Sequence, residues 1–136
     1  MRSLFGVGIF VAMFVVAPAR AQHEHKSKCA KACAECALQC SSCAAHCTHL
    51  VLDGKNDHAK TMRLCNDCAA ICSVSGVITG RNGPLAVTLC ESCAKACDTC
   101  GKACEEFKDD KHMAECAKAC RDCAKACREM IKHAHH

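Results

Sequence analysis

The chain has no tryptophan and no tyrosine, and only four phenylalanines in 136 residues. Phe5, Phe10 and Phe14 precede residue 22, which leaves Phe107 alone beyond it. A conventional core of large apolar side chains cannot be assembled from that stock. Charge of one sign is scarce too. Eighteen Lys and Arg face fourteen Asp and Glu, for a net charge of +4, and the lysines are spread along the chain. That excludes the basic patch of a nucleic-acid-binding protein. A catalytic constellation is also missing: no nucleophile–base arrangement and no paired carboxylates stand out, so no enzymatic activity is expected.

Long apolar runs are absent as well. The longest, Leu4 to Ala17, has about fourteen residues, short of the roughly 18–20 needed to span a bilayer. It follows Arg2 and precedes Ala19-Arg20-Ala21, which puts small residues at the two positions a signal peptidase reads. Residues 1–21 are therefore expected to be a cleaved secretory signal, and residues 22–136 a single domain with no membrane span. Loss of Arg2 and Arg20 lowers the net charge to +2. The implied location is the periplasm or cell envelope.

What the chain has instead is cysteine. There are 18, and all lie between Cys29 and Cys127. They form four groups: Cys29, Cys33, Cys36, Cys40, Cys43 and Cys47; Cys65, Cys68 and Cys72; Cys90, Cys93, Cys97, Cys100 and Cys104; Cys116, Cys120, Cys123 and Cys127. Within each group the steps alternate between three and four. That is the spacing of an inward helical seam. The residues between are mostly Ala, Lys, Glu, Gln, Arg and Asp, largely good helix formers. CAKAC itself occurs at 29–33, 93–97, 116–120 and 123–127, with CGKAC at 100–104. Its lysines fall off the seam, on what is expected to be a solvated face.

The breaks between groups are turns. Asp53-Gly54-Lys55-Asn56-Asp57 separates the first pair, with Asn56 or Asp57 able to cap the next helix. Arg81-Asn82-Gly83-Pro84 ends the second helix, and Pro84 suits the first turn of the third. Lys108-Asp109-Asp110 precedes the fourth, with Asp110 as its cap. Helices are predicted over 27–52, 58–79, 84–107 and 111–133. Short connections make neighbours antiparallel. The expected fold is all-α: an antiparallel up-down-up-down four-helix bundle with a cysteine-lined core.

Disulfides are the first use to weigh for so many thiols in an exported chain. Neighbours at i,i+3 or i,i+4 have Cβ atoms roughly 5–6 Å apart, against the ~3.8 Å a disulfide prefers. An unbroken seam fits stapling poorly. Soft thiolates instead select Cu(I), zinc or iron–sulfur clusters. No cysteine precedes proline, as in one common cluster motif. Zinc prefers four ligands, usually with CxxC pairs on knuckles. Cu(I) accepts two or three thiolates, and a CxxxC pair on one helix face can clasp it. Such pairs (29/33, 36/40, 43/47, 68/72, 93/97, 100/104, 116/120, 123/127) leave over Cys65 and Cys90, which would share ions with neighbouring helices. The reading is storage or sequestration of multiple Cu(I) ions; a metallothionein-like zinc or cadmium buffer is the alternative.

The repeated CxxxC and CxxC motifs on four predicted helices resemble those of the copper storage protein family. The resemblance covers essentially the whole of residues 22–136. It implies a preformed four-helix bundle holding many Cu(I) ions chiefly through CxxxC pairs, often as a homo-tetramer. The family has cytosolic and exported members, and the N-terminal segment sorts this chain with the exported ones. Ser75 and Thr79 continue the seam of the second helix where cysteine would be expected, so that end should hold less copper. With two unshared thiolates per ion the 18 cysteines hold 9 ions; full bridging raises the limit to about 18.

The two ends of the bundle differ. His58 and Met113 fall in seam register beyond Cys65 and Cys116, and Met62 and His46 flank the seam. Thioether and imidazole bind copper more weakly than thiolate, which suits His58, Met62 and Met113 to a relay at a mouth. Methionines that simply close the bundle are the rival account. Val74, Ile78, Leu85, Leu89 and Ile131 are expected to plug the other end. His23, His25, His133, His135 and His136 belong to that end or trail from it, as a weak metal-capturing tail or a merely soluble one.

Overall fold

The computed structural model describes residues 17–134. Four helices run Ala17–Leu52 (α1), Ala59–Gly80 (α2), Ala86–Glu105 (α3) and Lys111–Ala134 (α4). A short 3-10 turn, Asn56–His58, leads into α2. Helix α1 packs on α2 and α4, and α3 packs on the same two. This is the expected up-down-up-down bundle.

Every seam cysteine is buried, none more than 1% exposed. Alanines directly follow several of them. Ala37, Ala44, Ala69, Ala94, Ala117 and Ala124 are all buried beside the thiols. On α1 and α4 this Cys-Ala pair recurs every seven residues, as at 36/37 and 43/44 or 116/117 and 123/124, so a small side chain sits at each repeat of the seam. Gly101 takes that place one heptad after Ala94. A Cβ there would lie 3.3 Å from the Cβ of Cys120, so the gap between α3 and α4 leaves no comfortable room for a methyl group.

Much of the outer surface is polar. Lys28 pairs with Glu24 at 2.6 Å and Lys118 with Asp122 at 2.7 Å, each four residues apart on one helix. Arg121–Glu105 and Arg128–Asp98 tie α4 to α3. The CAKAC lysines Lys31 and Lys118 are well solvated, in keeping with the expected outer face. Such exposed pairs contribute only about 0.2–1 kcal/mol each.

Helix ends differ from expectation in three places. Helix α1 begins at Ala17 rather than residue 27. Pro18 is tolerated in a first turn, and the following Ala, Arg, Gln, Glu and Lys favour helix, with Glu24–Lys28 bracing it. The expected boundary between residues 21 and 22 thus falls within α1; residues 1–16 lie outside the described part. Neither Asn56 nor Asp57 caps α2, since both belong to the 3-10 turn. Gly54, just past the end of α1, has φ +85°, a conformation glycine adopts without strain. Pro84 precedes α3 instead of entering it, and Leu85 holds the cap position without a side-chain bond.

Asp110 does cap α4. Its Oδ1 accepts the backbone N–H of His112 at 2.9 Å and of Met113 at 3.3 Å, while Oδ2 meets His46 Nε2 at 2.7 Å. Burial acts to raise its pKa, but the His46 bond and the two amides outweigh that and hold it below the ordinary aspartate value. A lowered carboxyl pKa means stabilisation that is present above the unfolded value and lost as pH falls through the folded one. Asp110→Ala should cost the metal-free protein about 1 kcal/mol at pH 7. In urea titrations followed by circular dichroism, the gap between variant and parent should close as pH drops below about 4.

Candidate metal centre

The seam brings sulfurs from all four helices onto one axis. Contacts run between helices more than along them. Cys29 lies 3.4 Å from Cys90 and 3.7 Å from Cys127. Cys72 lies 3.3 Å from Cys93 and 3.5 Å from Cys97. Cys40 reaches Cys116 and Cys120, both at 3.7 Å. Of the CxxxC pairs, 36/40 and 68/72 have close sulfurs, each at 3.8 Å. The metal-free thiols therefore group across helices and not as the simple tiling of in-helix pairs. Cys65 and Cys90, left over by that tiling, are integrated: Cys65 lies 3.6 Å from Cys100 and 3.8 Å from Cys104.

Several quartets have all four sulfurs within 4.8 Å of one another. One joins Cys33, Cys93, Cys123 and Cys127; another Cys36, Cys68, Cys72 and Cys97. The set Cys43, Cys65, Cys104 and Cys116 takes one cysteine from each helix. All 18 cysteines are free thiols.

So many thiols in contact cannot share one protonation behaviour. Cys116 and Cys68 are pushed well below the ordinary thiol range, because neighbouring thiols, Cys100 foremost, donate hydrogen bonds to them. Cys97 and Cys40 are pushed up, with Cys120 and Cys100 the main partners respectively. Cys123 is lowered to about 6, chiefly through Cys127. Lowered and raised thiols thus lie side by side in the core. Cys47, at the edge of the array, is raised mainly by burial.

At the mouth, Met113 is buried in the seam, with its Sδ 3.4 Å from Cys43 Sγ and 4.0 Å from Cys47 Sγ. His58 is 7% exposed and stacks on Phe107 at 4.0 Å between ring centroids. Its Nδ1 is the buried side-chain nitrogen or oxygen left without a hydrogen-bond partner among the described residues. Met62 packs half-buried against the core. His46 faces Asp110 and stacks on His112 at 4.3 Å. The His112 contact was not foreseen, because His112 is off the seam.

The opposite end is closed differently from the expected plug. Val74 and Leu85 are 51% and 59% exposed. Val74 sits one residue off the seam, and Leu85 precedes α3. Thr79, Ser75 and Met130 are buried there instead, with Ile78 and Ile131 packed against them. Met130 lies three residues past Cys127 and so continues its seam, a register that sequence reading could have followed. Ser75 turns its hydroxyl to the carbonyls of Ile71 and Leu89, at 2.8 and 3.2 Å. Thr79 Oγ1 is 3.3 Å from Cys90 Sγ.

A bundle whose core is a continuous file of thiols defines a class: a thiolate-lined metal store. The sequence matches the copper storage protein family over residues 21–132. The chain belongs to that family. Among solved structures it is similar to a cytosolic copper storage protein from Streptomyces lividans with five coppers. That match has 27% identity and a TM-score of 0.76, and covers 83% of this chain and 97% of that one. The Streptomyces lividans protein loaded with ten copper equivalents gives 26% identity and a TM-score of 0.76, over 88% and 93%. The Cu(I)-bound copper storage protein BsCsp3 gives 31% identity and a TM-score of 0.72, over 79% and 98%. A comparison with curated proteins returned no match.

The seam break on α2 is testable. Thr79→Cys would place a thiol beside Cys90, itself next to Cys29. Titration with Cu(I) should then reach saturation about one equivalent later than in the parent, and unchanged capacity would show that this layer does not take part in binding.

Proposed function

We propose that this protein stores Cu(I), many ions per chain, as thiolate complexes inside the bundle. The observation that carries the reading is the file of 18 buried, mutually contacting thiols. The copper-loaded neighbours support it. Copper is cargo here, not a resident catalytic group, and the reading includes no catalytic step.

A second reading has an observation of its own. A zinc ion bound at ~2.3 Å by four thiolates spaces its sulfurs about 3.8 Å apart, close to the distances within the quartets. A zinc or cadmium buffer would fill quartets only, and 18 thiols make no more than 4 without sharing. Copper at two thiolates per ion starts from 9. An anaerobic Cu(I) titration of the reduced protein, against a competing chelator, separates the two. A break above 9 equivalents, with copper withheld from the chelator until then, is expected; a break at 4 or below would sink the copper store. The absence of Trp and Tyr leaves the ultraviolet clear for the thiolate-to-copper bands.

Copper passes into the core at the end that holds His58, Met62 and Met113. The unpartnered Nδ1 of His58 and the Met113 sulfur beside Cys43 support this, since both offer neutral, more weakly binding ligands ahead of the thiolates. Replacing Met62 and Met113 together by leucine should slow loading in stopped-flow measurements and leave the final capacity intact. Unaltered kinetics would reduce the two methionines to packing.

The N-terminal apolar segment supports export to the periplasm or cell envelope, with the stored form beginning near Gln22. Among the described residues no helix is long and apolar enough to cross a membrane. Exposed Leu38 and Val77 line the outer face of α1 and α2 beside Ala34 and Gly76. That apolar strip supports self-association, and the family resemblance a tetramer. Donor and recipient proteins for copper are part of the reading only as a class.

A further inference from the structure

The thiol core does not account for a second group of metal-binding side chains at the end remote from the mouth. His25 on α1 and His133 on α4 meet across the helix pair, their rings stacked at 3.9 Å between centroids with 12° between planes. Glu129 stands four residues before His133, on the same face of α4. His25 and Glu129 also line one groove between α1 and α4. The Gln22 side-chain amide donates to the His133 carbonyl at 3.3 Å, which ties the start of α1 to the end of α4.

Two nitrogens bound to one ion at ~2.0–2.1 Å lie about 3–4 Å apart. The stack brings the two rings within reach of a common ion, and each ring would turn about its side-chain bonds to direct one nitrogen at it. Glu129 is held by Lys132 at 2.9 Å in the metal-free chain. A divalent ion beside it would take the place of that ammonium.

We propose that His25, His133 and Glu129 form an outer metal site on the bundle surface, and that it takes Cu(II). Imidazole with carboxylate is a harder set than thiolate, and among divalent first-row ions such a set holds Cu(II) most tightly. The protein then has two separate chemistries for one element: a buried thiolate file for Cu(I), and a solvent-facing pair of imidazoles for Cu(II). The site does not depend on the core being filled, and no electron passes between the two in this proposal.

The test uses the protein with its thiols first saturated by Cu(I) under anaerobic conditions. Cu(I) is silent in electron paramagnetic resonance, so the spectrum of Cu(II) added afterwards carries no contribution from the filled core, and the histidine variants assign it to a site. One equivalent of bound Cu(II) is expected, with splitting from two imidazole nitrogens. His25→Ala and His133→Ala should each weaken binding about tenfold or more, whereas His49→Ala, on exposed α1 surface near the mouth, should leave it unchanged. Both substitutions lie outside the buried seam, and circular dichroism verifies that the fold is retained. A spectrum of the aqua ion, or unchanged affinity in the His25→Ala/His133→Ala double variant, would overturn the proposal. Should the core fail to take up Cu(I), the copper-store reading fails on its own at the first step. The outer site is then read by the broadening that Cu(II) imposes on the ring-proton resonances of His25 and His133, and absence of selective broadening would refute it.

Discussion

A sulfur at every seam position sets how closely four helices must approach. The cysteine side chain reaches only one atom beyond Cβ, so thiols from different helices touch only if the backbones are drawn in. The chain meets that demand with alanine or glycine beside the cysteines. Ala37, Ala44, Ala94, Ala117 and Ala124 occupy the inter-helix gaps, and at Gly101 even a methyl group would crowd Cys120. Larger residues at these places would part the helices and separate the sulfurs. The scarcity of aromatic residues follows from the same constraint: a narrow core has no room for rings, and Phe107 with His58 is placed where the bundle ends.

That core is cohesive without being inert. Packed thiols are weak donors and acceptors, and burial alone would keep them neutral. Contact between them changes this, since an ionised sulfur that accepts bonds from its neighbours is stabilised while the donors are kept protonated. The lowered Cys116 and Cys68 against the raised Cys97 and Cys40 express that division. A metal ion entering the file replaces protons at sulfurs that are already in place. The bundle therefore supplies ligands without refolding around each ion.

Most of this architecture was legible because two signals coincided. The alternating three- and four-residue steps named the buried face, and the turns at 53–57, 81–84 and 108–110 marked the breaks. The Asp110 cap and the positions of Ser75 and Thr79 followed directly. What escaped was decided by tertiary contact. The extra turns at the start of α1 join good helix formers to a contact with the end of α4 through Gln22 and His25, and only the first of these is local. The far plug went to Met130, Ser75 and Thr79, because hydrophobicity suggested Val74 and Leu85 while register excluded them. The grouping of thiols across helices could not be read from spacing along one helix, since it depends on the stagger between them.

That grouping bears on what kind of binding the core can perform. Cys36 belongs to the quartet with Cys68, Cys72 and Cys97, and also to the quartet with Cys40, Cys68 and Cys120. Cys40 and Cys120 recur with Cys100 and Cys116, and Cys116 recurs with Cys43, Cys65 and Cys104. Sites that share ligands cannot be filled independently. An ion that takes all four sulfurs of one quartet removes ligands from the next, whereas an ion content with two or three leaves its neighbours usable. A tetrahedral metal therefore exhausts the file early, and a low-coordinate one can occupy it along its length. The overlap that would be a defect in a set of discrete cofactor sites is what gives a store its capacity.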